Sequence, residues 1–238
     1  MARANGRKAN QLRPIEFITD FTKYAEGSVL AKYGDTQVLC NVTLEDRVPR
    51  WLHQSPKNHG WLSAEYALLP RSTDQRNARE QRWPKGRTQE ISRLIGRSLR
   101  MALDLDALGQ RQLLVDCDVL QADGGTRTAA ISGSWIAVNL ALQRLIHKGK
   151  LPTQVIKHQI AAVSVGMVKG QALLDLDYPE DSKASADMNV VMTRDGDFIE
   201  VQGTGEQRPM SRAQVNELLD LAVGGIDELF LHQELAVL

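Results

Sequence analysis

Hydrophobic and polar positions along this chain follow two periods that succeed one another in order. Residues 14–44 have the character of strands. Positions 15–17, 28–33 and 37–42 are rich in β-forming residues, and Gly34-Asp35 makes a short turn between the last two. Residues 45–86 hold no period and contain Pro49, Pro56, Pro70 and Pro84, which predicts a long irregular segment of the kind that is more often functional than decorative. A helix then opens at Thr88, a candidate N-cap. Ile91, Leu94, Ile95, Leu99 and Ala102 share one face, Arg93, Arg97 and Arg100 fall largely off it, and Arg87 stands just before the cap. A strand over 113–120 leads to a long helix over 129–146, whose Ala, Ser and Gly residues permit close packing.

After Gly149 and Pro152 the pattern restarts. It predicts strands over 160–168 and 172–178 around Lys169-Gly170, a loop, strands over 188–193 and 198–202 around Asp195-Gly196-Asp197, and a last helix. Ser211 and Gln214 resemble a capping box at the start of that helix, with Val215, Leu218, Leu219 and Ala222 facing inward. Strands joined by glycine turns and closed by a helix thus occur twice. The expected class is α+β with two similar halves, residues 1–150 and 151–238, forming one compact unit.

Composition narrows the picture modestly. No unbroken run of eighteen apolar residues exists, so no membrane span is expected. The opening Met-Ala-Arg-Ala-Asn-Gly-Arg-Lys is basic and polar, with no apolar segment behind it, so no secretory signal is expected. Cys40 and Cys117 are the only cysteines. Both lie in apolar, strand-like runs, form no metal spacing or disulfide framework, and suit a reducing cytoplasm. The net charge of zero hides an asymmetry. Residues 71–100 carry nine Lys/Arg (Arg71, Arg76, Arg79, Arg82, Lys85, Arg87, Arg93, Arg97, Arg100) against three acids, whereas 175–200 carry eight acids against two bases. The arginine-rich block suits a polyanion, or else a solvated face. The acidic block suits salt bridges to the basic one, or a metal.

The segment Asp123-Gly124-Gly125-Thr126-Arg127-Thr128 lies between a strand and a helix. Such a junction aims unpaired N–H groups and the helix dipole at whatever lies ahead. Two glycines allow close approach, Thr126 and Thr128 offer hydroxyls, and Arg127 offers a planar fork. A phosphate cradle and a plain glycine turn with an N-cap both fit. The pattern lacks the P-loop ending and the dinucleotide spacing. Asp181 and Asp187 could meet if their loop folds back and would then suit Mg²⁺, with Asp175 and Asp177 on one face of the preceding strand as possible contributors. A polar loop with an Asx turn fits equally. His53, His59, His147, His158 and His232 are scattered and read as surface or incidental. Trp135 reads as core, whereas Trp51, Trp61 and Trp83 could stack on RNA bases.

In combination these residues resemble the ribonuclease PH family of phosphate-dependent 3′→5′ exoribonucleases. The resemblance rests on blocks in one order: Asn10-Gln11-Leu12-Arg13-Pro14-Ile15, Gly34-Asp35-Thr36-Gln37-Val38, Gly60-Trp61-Leu62-Ser63-Ala64-Glu65-Tyr66, Leu69-Pro70-Arg71-Ser72-Thr73, Gly86-Arg87-Thr88-Gln89-Glu90-Ile91, residues 116–128, residues 187–193 and Glu200-Val201-Gln202-Gly203-Thr204. It implies a two-half fold like ribosomal-protein domain 2 and a nucleotidyltransferase that trims transfer RNA precursors, releases nucleoside 5′-diphosphates, and adds nucleotides in reverse. It implies that Arg87, Gly125, Thr126 and Arg127 bind orthophosphate, the co-substrate. Asp181 and Asp187 would hold Mg²⁺ (or Mn²⁺) and, with Arg87 and Arg127, form the catalytic set. Arg71, Arg76 and Arg79 would grip RNA, and the chain would assemble as a homo-hexamer, a trimer of dimers. Departures occur at Gln81-Arg82-Trp83-Pro84-Lys85 and Gly205-Glu206-Gln207-Arg208. A silent RNA-binding ring subunit, a fragment of a polynucleotide phosphorylase and a structural RNA-binding protein are the rival readings.

Overall fold

A computed structural model describes residue 3 and residues 6–52, 59–79 and 86–238. His53, Arg82, Lys85 and the Trp83-Pro84 departure lie outside the described residues. The chain forms β1 (Ile15–Thr19), β2 (Gly27–Tyr33), β3 (Thr36–Glu45), β4 (Trp61–Leu68), α1 (Gly86–Met101), α2 (Leu105–Leu108), β5 (Gln112–Gln121) and α3 (Thr126–His147). There follow a 3-10 turn (Thr153–Val155), β6 (Ile160–Val168), β7 (Gln171–Leu174), α4 (Tyr178–Asp181), β8 (Ala186–Thr193), β9 (Phe198–Thr204) and α5 (Arg212–Val237). One sheet has the order β1-β2-β3-β5-β4 and the other β7-β6-β8-β9. The class is α+β, with each sheet followed by a long helix.

Hairpins account for most of the pairing. β1, β2, β3 and β5 are successively antiparallel, and so are all pairs in the second sheet. Lys169 and Gly170 both take positive φ, 51° and 81°, the geometry of a tight two-residue hairpin. β4 corrects the expectation of an irregular segment. It runs parallel to β5 at the sheet edge, from Trp61 beside Gln112 to Leu68 beside Val119. β7 is shorter than the alternation Leu174-Asp175-Leu176-Asp177 suggested. It ends at Leu174 because Asp175 turns to φ 53°. α1 begins at Gly86, so Arg87 lies in its first turn rather than ahead of a Thr88 cap.

α3 lies between the sheets, against β2, β3 and β5 on one side and β6 and β8 on the other. Its small residues allow this: a Cβ on Gly133 would stand 2.7 Å from Ala31 Cβ and 3.1 Å from Cys40 Sγ. An 18-residue stretch of α3 is long and apolar enough to cross a membrane by length and composition alone. Two thirds of that stretch (67%) is buried inside the fold, as expected for a core helix. Trp135 is in the core and donates to the His158 carbonyl at 3.0 Å. Cys40 and Cys117 are buried, free and opposite one another across β3 and β5. Ser211 and Gln214 form the reciprocal capping box of α5, which packs on β6, β7 and β1. One hydrophobic cluster runs from Leu12 to Phe230, through both sheets.

Candidate active site

A cavity of about 1050 Å³ opens where the two halves meet. Arg87, Gly125, Thr126, Arg127, Asp181 and Asp187 all line it, although they come from α1, the start of α3, α4 and β8. The start of α3 supplies one wall. Its N-cap, Gly125, takes φ 64°, and no side chain caps the helix. The first amides of α3 therefore lack both an intrahelical and a side-chain partner and keep their partial positive charge at the cavity. A plain capped turn does not describe this junction. Gly124, at φ 76°, admits no side chain: a Cβ would lie 2.5 Å from the Leu176 carbonyl oxygen. Thr126 Oγ1 and Tyr66 Oη are hydrogen-bonded at 2.8 Å, and burial pushes the Tyr66 phenol up, so it stays protonated. Thr128 is fully buried and donates to the Gly125 carbonyl at 2.9 Å. This corrects the expectation that its hydroxyl faces a ligand.

The cationic groups are held differently. Arg127 Nη1 donates to Gln202 Oε1 at 3.3 Å and lies 3.9 Å from Glu90, while Gln202 Nε2 donates to Glu90 at 2.7 Å. Among the described residues, no carboxylate lies within ion-pair distance of Arg87. Its charge is nonetheless felt by Tyr66 and Asp181.

The opposite wall is acidic. Asp177 caps the one-turn α4 in a reciprocal capping box with Glu180. Asp181 ends that turn, and Ser185 returns the chain to the sheet by donating to the Met167 carbonyl at 2.8 Å. Asp187 follows on β8, between Gly166 and Thr204. Partial enclosure and, to a smaller extent, Glu206 push the Asp181 carboxyl up, and Arg127 and Arg87 ease it. Enclosure, Asp181 and Glu206 push Asp187 up, and Arg127 eases it. An enclosed pair in which the Asp181 charge raises the proton affinity of Asp187 suits a cation. The described residues contain no cluster of three or more metal-ligating side chains, so a divalent ion here would take its remaining oxygens from water or substrate.

Asp175 and Asp177 do not join this pair, contrary to the sequence expectation. Asp175 is fully buried and accepts from Arg13 Nε at 3.0 Å and Nη2 at 2.7 Å, and Asp177 lies 3.8 Å from Arg7. The acidic block pairs mainly with the N-terminal Arg3, Arg7 and Arg13. Arg97–Glu200, at 2.8 Å, is its described link to the 71–100 block. Arg71, Arg76 and Arg79 are exposed on the segment after β4 and lie outside the cavity lining, while Thr73 and Asp74 between them are part of it. Trp61 packs on Trp51 and under Arg100, with ring centroids 4.9 Å apart and the guanidinium 4.7 Å away. Tyr66, Glu90, Gln202 and Glu206 were missed as site residues. Tyr66 sat in the segment read as irregular, and the others carry no local signal.

The 3′ exoribonuclease family, domain 1, matches residues 11–144, and its domain 2 matches residues 158–225. The chain belongs to the 3′ exoribonuclease family. It is 53% identical over 235 residues to ribonuclease PH of Crocosphaera subtropica, covering 99% of this chain and 97% of that protein. Proteins of known structure share the fold at lower identity. Rice (Oryza sativa) Rrp46 is 20% identical and superposes with a TM-score of 0.79 over 98% of both chains. A chain of the Archaeoglobus fulgidus exosome with RNA bound to the active site is 23% identical, with a TM-score of 0.76 over 96% of this chain and 91% of that one. In this exoribonuclease-family chain, the cavity between helix N-terminus and carboxylate pair lies where domain 1 meets domain 2.

Proposed function

We propose that orthophosphate binds at the uncapped start of α3, between Arg127 and Arg87, and attacks the last phosphodiester of an RNA whose 3′ end enters the cavity. The protein is a phosphorolytic 3′→5′ exoribonuclease that trims transfer RNA precursors. A phosphate oxygen forms the new P–O bond, the bond to the 3′ oxygen of the shortened RNA breaks, and that oxygen takes a proton. The product is a nucleoside 5′-diphosphate, and exchange of like bonds makes the reverse addition accessible.

Such transfers need positioning and charge neutralisation more than covalent help. Arg87, Arg127 and the Gly125-Thr126-Arg127 amides would offset the repulsion between two anions, and Tyr66 would orient the Thr126 hydroxyl. Asp181 and Asp187 would hold Mg²⁺ or Mn²⁺, which supplies Lewis-acid stabilisation of the charge on the reacting oxygens. Asp187 would sit beside the leaving oxygen, and Arg71, Arg76 and Arg79 would guide the RNA body. A homo-hexameric ring, a trimer of dimers, working in the cytoplasm completes the reading. The two reduced, buried cysteines accord with that compartment.

The observation that carries the reading is the charge arrangement. An uncapped helix start with two arginines faces two carboxylates, neither of which has an ion-pair partner among the described residues. A silent ring subunit would lack a member of this set, and none is missing. The test is a 3′-labelled transfer RNA precursor digested across a phosphate titration, with chromatography of the mononucleotide. Nucleoside diphosphate that rises with phosphate is expected. Monophosphate released regardless of phosphate overturns the reading. Sedimentation at six copies of the 26.4 kDa chain tests the ring.

A further inference from the structure

We propose that Arg13, clamped by Asp175, is a positioning residue for the phosphate cradle: it holds the Asp123 and Gly124 carbonyls behind the loop so that the following amides face the cavity. The inference rests on orthophosphate binding at the start of α3.

Arg13 comes from a segment far away in sequence and lies behind the loop, outside the cavity lining. Its Nη1 donates to the Asp123 carbonyl at 2.6 Å and its Nη2 to the Gly124 carbonyl at 3.4 Å. Thr36, at the start of β3, holds the Gly124 carbonyl as well and also the peptide that enters the loop. Its hydroxyl donates to the Gly124 carbonyl at 2.6 Å and accepts from the Asp123 amide at 3.0 Å. In a trans peptide the carbonyl and the next amide point in opposite directions. Fixing the Asp123 and Gly124 oxygens towards Arg13 therefore turns the Gly124 and Gly125 N–H groups away from it, towards the cavity those glycines line.

The clamp on Arg13 is complete. Asp175 accepts from its Nε, its Nη2 and, at 2.8 Å, its backbone amide. Arg3 and Arg7 donate to the Asp175 carbonyl at 3.0 and 2.9 Å. Burial opposes the Arg13 charge, but Asp175 outweighs it and holds the guanidinium above its ordinary pKa. A lysine has the charge but not the planar fork that spans two carbonyls and a carboxylate together. The same segment roots the other wall. Asp175 is followed directly by the turn that carries Asp181, Tyr178 donates its amide to Asp123 Oδ1 at 3.3 Å, and Gly124 packs against the Leu176 carbonyl. Arg13 thereby sets the spacing of the phosphate loop from the carboxylates.

The test compares Arg13→Lys and Thr36→Val in steady-state phosphorolysis, with KM for phosphate and KM for RNA measured separately. Both variants should raise the phosphate KM about tenfold, roughly the 1.4 kcal/mol of one weakened anchor. The RNA KM and kcat at saturating phosphate should stay within about twofold. The Tm rise on adding phosphate should shrink in parallel. Thr36→Val keeps the buried ion pair and nearly the same shape, so it decides the matter if Arg13→Lys does not fold. A wild-type phosphate KM in the folded variant overturns the inference, as does a loss spread equally over kcat and both KM values. Arg127→Ala run alongside separates the two levels. If its phosphate KM is also unchanged, the phosphate site itself has been misplaced. If its KM alone rises, only the role of Arg13 fails.

Discussion

Glu180 and Asp181 are neighbours on a single turn of helix, yet they belong to two charged clusters of opposite character. Glu180 joins the buried cluster, where Arg3 Nε meets it at 2.7 Å and Arg7 at 3.4 Å. Burial raises its proton affinity, but these arginines outweigh burial and hold its pKa below the ordinary value. Asp181 turns into the cavity, where enclosure and Glu206 push its pKa up and the arginines only ease it. One cluster has its charges satisfied from within and fastens the N-terminal segment to β7 and α4. The other is left short of partners on both walls. Charge satisfied internally holds the chain in place, and charge left unsatisfied marks where ligands enter.

The contrast can be broken most forcefully through the satisfied cluster. Asp175→Ala leaves the Arg13 charge buried and unpaired, which should cost about 3–5 kcal/mol. At this chain length that is a fall of roughly 6 to 20 °C in Tm, read by thermal denaturation. An unchanged Tm would mean the cluster anchors nothing. Asp187→Asn in the cavity should do the reverse, sparing Tm while lowering nucleoside diphosphate release by roughly 10²–10³-fold, the scale seen for loss of one preorganised electrostatic group. Near-wild-type release removes the carboxylate pair from the chemistry. Arg127→Ala should lower kcat/KM for phosphate about 10²-fold, the worth of a charged, two-pronged hydrogen bond, with RNA binding by filter retention little altered. Weakened RNA binding with an unchanged phosphate KM reverses that assignment.

The smallest effect is in the pH dependence of stability. Glu180 has a depressed folded pKa, so its contribution is present above the unfolded value and is lost as pH falls through the folded one. Asp181 and Asp187 have raised folded pKa values. The folded state then binds their protons more tightly, and their contribution declines as pH rises from the ordinary aspartate range through the folded values. Without phosphate or divalent cation at neutral pH, Glu180→Gln should therefore melt below wild type and Asp181→Asn/Asp187→Asn slightly above it. Both differences should close on acidification. Shifts of the same sign would erase the distinction between the clusters.

Legibility in the sequence followed the range of the interaction. Hairpin strands were visible because alternation and glycine turns are local, and the Ser211–Gln214 box was visible because both partners lie within one turn. β4 was not, since its pairing with β5 is parallel and its partner lies some fifty residues away. The 172–178 strand was overread because Leu-Asp alternation looks the same whether the aspartates face solvent or turn back under arginines. Gly125, Thr126 and Arg127 stood out as consecutive residues, whereas Tyr66 and Gln202, which hold Thr126 and Arg127, lie 60 and 75 residues from them.

By itself, the order of residues determined the α+β class, the family and six of the residues that line the cavity, because period, turn chemistry and contiguous motifs act over a few positions. Only the tertiary structure decided which acids are spent on anchoring and which are left for chemistry. That division depends on whether an arginine far away in the chain arrives beside a carboxylate, and a buried charge is tolerated only where it does.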